Sequence, residues 1–328
     1  MNLTPQEIAW EVSATGFPGE TLEKVFRLMS LLDGLNAHPF LKRRVALKGG
    51  TALNLFVFDV PRLSVDIDLN YIGAADRDTM LAERPKVEQA VHAVCSRDGL
   101  AVKRMPSEHA GGKWRLAYTA STGDSGNLEL DVNFMLRVPL WPPVMTDCRP
   151  VGSFRAAPAH VLDPHELAAG KLAALLARSA SRDIFDTCRL LSAGHLDPTH
   201  LRVAFTVYGG INRKDWRTVS PDDVVANPAD VQRELVPMLR ADLAPARGGI
   251  PAWTEKLVAE CRDLLSIVLP LTPDEAEFIR RLNDTGHISP ELLTGDAAVQ
   301  ANIQNHPGLL WKALNVKKHF GPSEDDTT

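Results

Sequence analysis

Two aspartates two positions apart in the run LSVDIDLNYIG, Leu63 to Gly73, are the residues best placed to do chemistry. Successive strand side chains point to opposite faces. The run therefore reads as a half-buried strand, with Leu63, Val65, Ile67, Leu69 and Tyr71 on an apolar face and Ser64, Asp66, Asp68 and Asn70 on the other. Asp66 and Asp68 lie about 7 Å apart along such a backbone, close enough to hold one divalent cation, or two adjacent ones, between them. An EF-hand loop also begins D-x-[DN]-x-[DN], but it needs Gly at its sixth position and Glu at its twelfth. Tyr71 and Arg77 stand there, and the alternation contradicts a loop. The competing reading is the solvated side of an edge strand, so the decision falls to the rest of the chain.

A second alternating run, NLELDVNFML, sets Leu128, Leu130, Val132 and Phe134 against Glu129, Asp131 and Asn133. It makes Asp131 a third strand carboxylate, able to pair beside the first two. Upstream, in LKRRVALKGGTALNLFVF, a short strand over residues 45–47 runs into Gly49 and Gly50, and Thr51 opens a helix carrying Leu53, Leu55 and Phe56. Backbone N–H groups at such a helix start favour phosphate. A Gly-Gly-Thr turn, a D-x-D strand and a later strand carboxylate could together hold a nucleoside triphosphate and its metal ions. Carboxylates clustered on one sheet face repel one another unless cations neutralise them. All-oxygen ligands favour Mg²⁺ or Mn²⁺ over zinc.

These residues need elements to position them. Residues 4–36 show helical spacing (Leu22, Val25, Phe26, Met29, Leu32). Pro85 suits the first turn of a helix reaching about Arg97. WRLAYTAS and NLELDVNFML read as strands around the turn TGDSGN, and LWPPVMTDCRP as a crossing or linker. Asp163-Pro164-His165-Glu166 then reads as a helix start with Asp163 as N-cap, and Ser181 as the cap of a second helix. At 100° per residue Lys171 and Arg178, and Arg182 if the helix were continuous, share one face, with Asp183 and Asp186 following. Residues up to about Lys318 read as mostly helical, with loops at Pro198, 221–228 and 244–251, and GPSEDDTT as a disordered tail. The expected architecture is mixed α+β: a domain over 1–155 with a small mixed sheet flanked by helices, and a mainly helical domain over 156–328. No internal repeat is present.

Composition narrows the class. The chain has 328 residues, 45% hydrophobic and 23% charged, as in ordinary globular proteins. No apolar run reaches the length of a membrane span and the N-terminus lacks signal-peptide regions, so a cytoplasmic protein is expected. Cys95, Cys148, Cys188 and Cys261 are scattered and read as reduced thiols, neither a disulfide framework nor a zinc site. A net charge of −5 argues against a protein that coats nucleic acid. Local basic clusters (Lys42-Arg43-Arg44 with Lys48, Lys103-Arg104, Arg213-Lys214 with Arg217, Arg280-Arg281, Lys317-Lys318) leave room for a localised RNA-binding groove, each alone reading as a solvated face.

The run LKGGTALNLF…RLSVDIDLNYIG resembles the AbiEii/AbiGii-type abortive-infection toxins, which include the Men toxins and belong to the DNA polymerase β-like nucleotidyltransferase superfamily. GKLAALLAR…SRDIFDTCRLL resembles the family's second signature, a Lys-bearing helix followed by R-D-x-x-D. The matches span about residues 40 to 195, and the interval from Thr51 to Asp66 is at the long end for the superfamily. The resemblance implies a polymerase β-like core and transfer of a nucleoside monophosphate from NTP to an acceptor hydroxyl, in better understood members the tRNA 3′ end, which blocks translation. It implies a cognate antitoxin as partner. Gly49, Gly50 and Thr51 would contact the triphosphate, and Asp66 and Asp68 the catalytic metals, with Ser64 beside them. Asp131 would be the third metal ligand and the base, Lys171 would contact phosphate, and Asp183 or Asp186 would be the later essential acid. Arg178 and Arg182 are candidate phosphate ligands or partners of nearby acids. Two other outcomes stay open: the same chemistry on a protein side chain (AMPylation) or a small molecule, and a nucleotide-binding module without turnover.

Overall fold

The computed structural model describes residues 3–105, 111–246 and 248–320. The tail read as disordered, 321–328, lies outside them.

The chain divides into two compact units, one formed by 1–137, 142–163 and 227–253, the other by 138–141, 164–226 and 254–328. The first holds helices α1 (Pro5–Thr15) and α2 (Gly19–Ala37), strand β1 (Val45–Lys48), the single helical turn α3 (Gly49–Ala52), β2 (Asp66–Tyr71) and α4 (Arg77–Arg97). It also holds β3 (Ala101–Arg104), β4 (Gly111–Thr119), β5 (Ser125–Asn133), β6 (Val144–Thr146) and β7 (Ala159–Val161). The strands form one mixed seven-stranded sheet in the order β3-β4-β5-β2-β1-β7-β6. β2 runs parallel to β5 and β1 to β7, while the other neighbours are antiparallel. Mixed α/β architecture is what the two strand periods and the helical periods predict.

Alternation decides which way the sheet faces. Ile67, Leu69 and Tyr71 of β2, Leu128, Leu130 and Val132 of β5, and Trp114 and Leu116 of β4 are buried. Helix α2 packs against β2 and β5 with Leu22, Val25, Phe26, Met29 and Leu32 buried. This hydrophobic layer holds the polar side of the same strands outward, since a slip of one residue would turn every buried side chain over.

Several elements differ from the sequence expectation. The N-terminal helical stretch is two helices, interrupted where Gly16 adopts φ +74° as the C-cap of α1. Helix α4 begins well before Pro85, capped by Asp76, whose side chain accepts from the N–H groups of Asp78 and Thr79. Pro85 lies inside that helix, and a strong cap ahead of it outweighs the missing donor. The segment read as a linker contains β6, which is short and depends on β7 for its pairing.

The second unit is helical: α5 (Pro164–Arg178), α6 (Ser181–Ser192), α7 (Pro198–Ile211) and, within or reaching into it, α8 (Ile250–Leu264), α9 (Pro273–Thr285), α10 (Ala297–Gln304) and α11 (Pro307–Phe320). Helix α5 packs on α6 and α7, and α7 on α9 and α11. Pro198, expected in a loop, is the first residue of α7, with Asp197 as its N-cap accepting from His200 N–H. Helices α5 and α6 are not continuous: Ser179 takes φ +48° between them.

Candidate active site

β2 supplies Asp66 and Asp68 and β5 supplies Asp131, and the parallel register sets Asp68 directly opposite Asp131 and Asp66 opposite Glu129. Adjacent strands stand about 4.8 Å apart, so the three candidate carboxylates share one face in two neighbouring rows. All three are partly exposed, whereas the intervening Ile67 and Leu130 are buried. Asn70 continues the face. It is 1% exposed and its Oδ1 has no hydrogen-bond partner among the described residues.

The Gly-Gly-Thr turn is built against this row. Lys48, the last residue of β1, is the register partner of Asp68. Gly49 follows with φ +73°, and a Cβ there would lie 2.2 Å from Asp68 Oδ2. Glycine is therefore required twice, for the left-handed backbone and for the space that the Asp68 carboxylate fills. A Cβ on Gly50 would lie 2.8 Å from Ser64 Oγ and 3.1 Å from Arg62 Nη2. Thr51 Oγ1 donates to the backbone oxygen of Asp66, which ties the turn to the start of β2. The helix starts at Gly49 rather than Thr51 and continues after one turn as a π-helix over Leu53–Val57. Its axial dipole is accordingly small, and the turn's own N–H groups carry more weight.

Ser64 does not belong to the strand. β2 starts at Asp66, because Leu63 N–H donates to Met238 O and Arg62 bridges to Leu239. Ser64 is buried beside Gly50, two residues before the start of β2. Arg62, 2% exposed, donates to Leu63 O. It went unnoticed in the sequence, although it immediately precedes the motif.

Cations flank the carboxylates on the other side. Lys113 of β4 is the register partner of Asp131, and Arg115 that of Glu129. Lys113 Nζ lies 2.7 Å from Glu129 and Arg115 Nη2 3.5 Å from it. The Lys113 hydrogen bond holds the Glu129 carboxyl below the usual range against the opposing effect of burial. Reciprocally, Lys113 is raised, by Glu129 first and by Asp66 and Asp68 at longer range. Glu129 is thus the ion-pair partner of Lys113 and Arg115. Reading the strand from Trp114 left Lys113 outside it. The alternation of Lys113 and Arg115 with Trp114 and Leu116 was the available signal.

The remaining candidates belong to the helical unit. Lys171 is not a solvated lysine: its Nζ lies 2.8 Å from Asp183 Oδ1 and 3.0 Å from Asp186 Oδ2, and all three side chains are buried. Arg178 Nε adds a 2.9 Å contact to Asp183 Oδ2. Burial pushes Asp183 upward, but the Lys171 charge and the Arg178 and Lys171 hydrogen bonds outweigh it and hold the carboxyl low. Both aspartates therefore engage the lysine. The break at Ser179 removes the continuous helix on which Arg182 would follow Lys171 and Arg178. Arg182 is half-buried in the first turn of α6.

Whether these residues suit a divalent cation is a question of donor chemistry. The donors on the sheet face are carboxylates plus the unpaired amide oxygen of Asn70, all hard oxygens, which suit Mg²⁺ or Mn²⁺. Among the described residues, no three His, Cys, Asp or Glu side chains already converge as a closed ligand set. The face fits a divalent cation by donor chemistry and register.

A mixed sheet with a glycine turn abutting a D-x-D strand and a third carboxylate in register is an arrangement suited to nucleotidyl transfer. Residues 30–259 match the family described as nucleotidyl transferase AbiEii toxin, type IV toxin–antitoxin system, and the chain belongs to that family. It is a nucleotidyltransferase, and a type IV system implies a cognate antitoxin. Among solved structures it is similar to MenT4, a nucleotidyltransferase toxin from Mycobacterium tuberculosis H37Rv, at 17% identity and a TM-score of 0.57, over 94% of this chain and 99% of that one. No curated protein matches the sequence. No helix among the described residues is long and apolar enough to cross a membrane.

Proposed function

We propose that this nucleotidyltransferase moves a nucleoside monophosphate from an NTP to the 3′ end of an RNA, tRNA foremost, and so blocks translation in the cytoplasm until its antitoxin intervenes. The observation that carries the catalytic part is the register pair Asp68 and Asp131 with Gly49 seated against Asp68. Gly49, Gly50 and Thr51 hold the triphosphate by backbone N–H groups and set the α-phosphorus above the carboxylate row. Asp66, Asp68 and Asp131 would hold the divalent ions, which would supply positive charge to offset that developing during the transfer. Asp131 takes the proton of the acceptor hydroxyl. The hydroxyl oxygen bonds to the α-phosphorus, the bond from that phosphorus to the bridging oxygen breaks, and pyrophosphate leaves. Ser64 and Arg62 fix the turn from behind. The Lys171–Asp183–Asp186 cluster is assigned to the same reaction through the family's second signature, with Arg178 and Arg182 as phosphate ligands at its edge.

The test is transfer itself. The protein is incubated with Mg²⁺ and each α-labelled NTP, with total tRNA in one set and cell protein in another, and Asp68→Ala as control. Label on tRNA that disappears in the variant supports the reading and identifies the donor. Label on protein moves the assignment to AMPylation. NTP binding without label in either set points to a regulatory module.

A further inference from the structure

The carboxylate face continues outward into positive charge. Register partners share a face of the sheet, and the register runs from Asp131 to Lys113, from Glu129 to Arg115, and from Arg115 to Arg104 of β3. Trp114 and Leu116, between and beside these positions, are fully buried, which fixes the alternation. The Lys113 and Arg115 side chains are each 60% exposed, and Arg104 is exposed. Glu129 takes up part of this charge through its two ion pairs. Three cations against one carboxylate still leave the face of β4 and β3 net positive, directly beside the negative row of Asp66, Asp68 and Asp131. Lysines on an edge strand ordinarily guard it against pairing. Lys103, exposed on the edge strand β3 where its register to β4 shifts, fits that role. Lys113 does not, because β4 is an interior strand of the sheet and Lys113 stands in register with Asp131.

We propose that Lys113, Arg115 and Arg104 form the docking face for the acceptor, binding the phosphodiester backbone of an RNA strand whose 3′ hydroxyl reaches Asp131. The inference rests on RNA being the acceptor and adds where that RNA lies. β4 and β3 stand about 5 and 10 Å from β5, within reach of the phosphates that precede a terminal nucleotide. The ion pairs to Glu129 hold Lys113 and Arg115 toward the strand, so little side-chain freedom is lost when phosphate replaces water around them. A net-negative chain can bind RNA this way because screening confines the interaction to charges within about a Debye length, roughly 10 Å at 0.1 M salt.

The test uses the full chain and a single-stranded RNA oligonucleotide with a free 3′ hydroxyl, first as a ligand across a salt series and then as acceptor. Each phosphate contact to a single strand contributes about 0.7 to the slope of log K against log salt. The variant Arg104→Gln/Lys113→Gln/Arg115→Gln is expected to reduce that slope by about 2 and weaken binding roughly tenfold or more at low salt. KM for RNA should rise in parallel while KM for NTP stays the same. Arg104→Lys/Arg115→Lys, which keeps the charges, should retain binding, and Arg280→Gln/Arg281→Gln in the helical unit should leave the slope unchanged. If the wild type labels RNA and the triple variant shows the wild-type slope and KM, the docking face is wrong although the acceptor is right. If the wild type neither binds nor labels RNA, the acceptor reading fails and takes the docking face with it.

Discussion

Lys171 and Asp186 meet at 3.0 Å with the Asp186 side chain wholly buried and only 9% of the lysine side chain exposed. With Asp183 and Arg178 they form a compact cluster of two cations and two anions. A buried pair need not stabilise the fold in net terms, but removing one member leaves an uncompensated charge. Lys171→Met is therefore expected to lower unfolding free energy by about 3–5 kcal/mol, read by denaturant titration. Adding Asp186→Asn should recover part of the loss. A Lys171→Met chain of wild-type stability would show that the cluster is not structural.

The cluster also sets an acid limit. The Asp183 carboxyl is held below its ordinary value, burial opposing and Lys171 and Arg178 prevailing. A depressed folded pKa gives stability that is fully present above the unfolded value, about 3.9, and is lost as pH falls through the lower folded value. Asp183→Asn should be less stable than the wild type at neutral pH, and the gap should narrow as pH falls below about 4. A gap independent of pH down to acid unfolding would show that Asp183 is not ionised in the folded chain.

The parts legible in the sequence were those where a short period meets a strong pattern. Asp68 and Asp131 are legible from alternation, since each sits between buried apolar neighbours, and Asp66 follows from Asp68 by the same period. The start of β2 was misplaced because Leu63 and Arg62 pair with residues near 238, a contact no local pattern announces. The alternation with Trp114 and Leu116 marks Lys113 and Arg115 as sharing the face opposite those two residues, but the register that sets them against Asp131 and Glu129 is not contained in one strand's sequence. β6 has only three residues and takes its order from β7. The fate of Lys171 was hidden because helical periodicity reports a face, whereas its partners come from the next helix, past a break at Ser179.

Gly49→Ala probes the closest approach in the site. The backbone has φ +73°, and the new Cβ would overlap Asp68 Oδ2. Left-handed backbone in a residue other than glycine costs about 1–3 kcal/mol, so the fold should survive at a lower Tm. The carboxylate, however, must move. Transfer activity should fall by roughly 10² or more, the scale of losing one preorganised electrostatic group. Retained activity would mean that Asp68 works from a different rotamer.

The four cysteines are free and buried. Burial pushes the Cys95 thiol up to about 12, with Asp98 adding to it. Thiolate is the reactive species, so the native chain should show no fast-reacting thiol toward an aromatic disulfide reagent near pH 8, and four once denatured. A thiol that reacts within seconds in the native chain would locate a locally opened region.

Asp68 and Asp131 are expected to reveal the metal through stability as well as activity. They face each other across β2 and β5 on one side of the sheet, and like charges placed opposite destabilise a sheet by about 0.2–1 kcal/mol. In chelator, Asp68→Asn should therefore be as stable as the wild type or slightly more so. If the folded pair holds Mg²⁺ and the unfolded chain does not, the ion should raise the wild-type Tm with concentration, as mass action requires. The same addition should leave Asp68→Asn and Asp131→Asn nearly unmoved, and both variants should lose transfer. A divalent-ion stabilisation that persists in both would place the metal elsewhere in the chain and strip the register pair of its catalytic meaning.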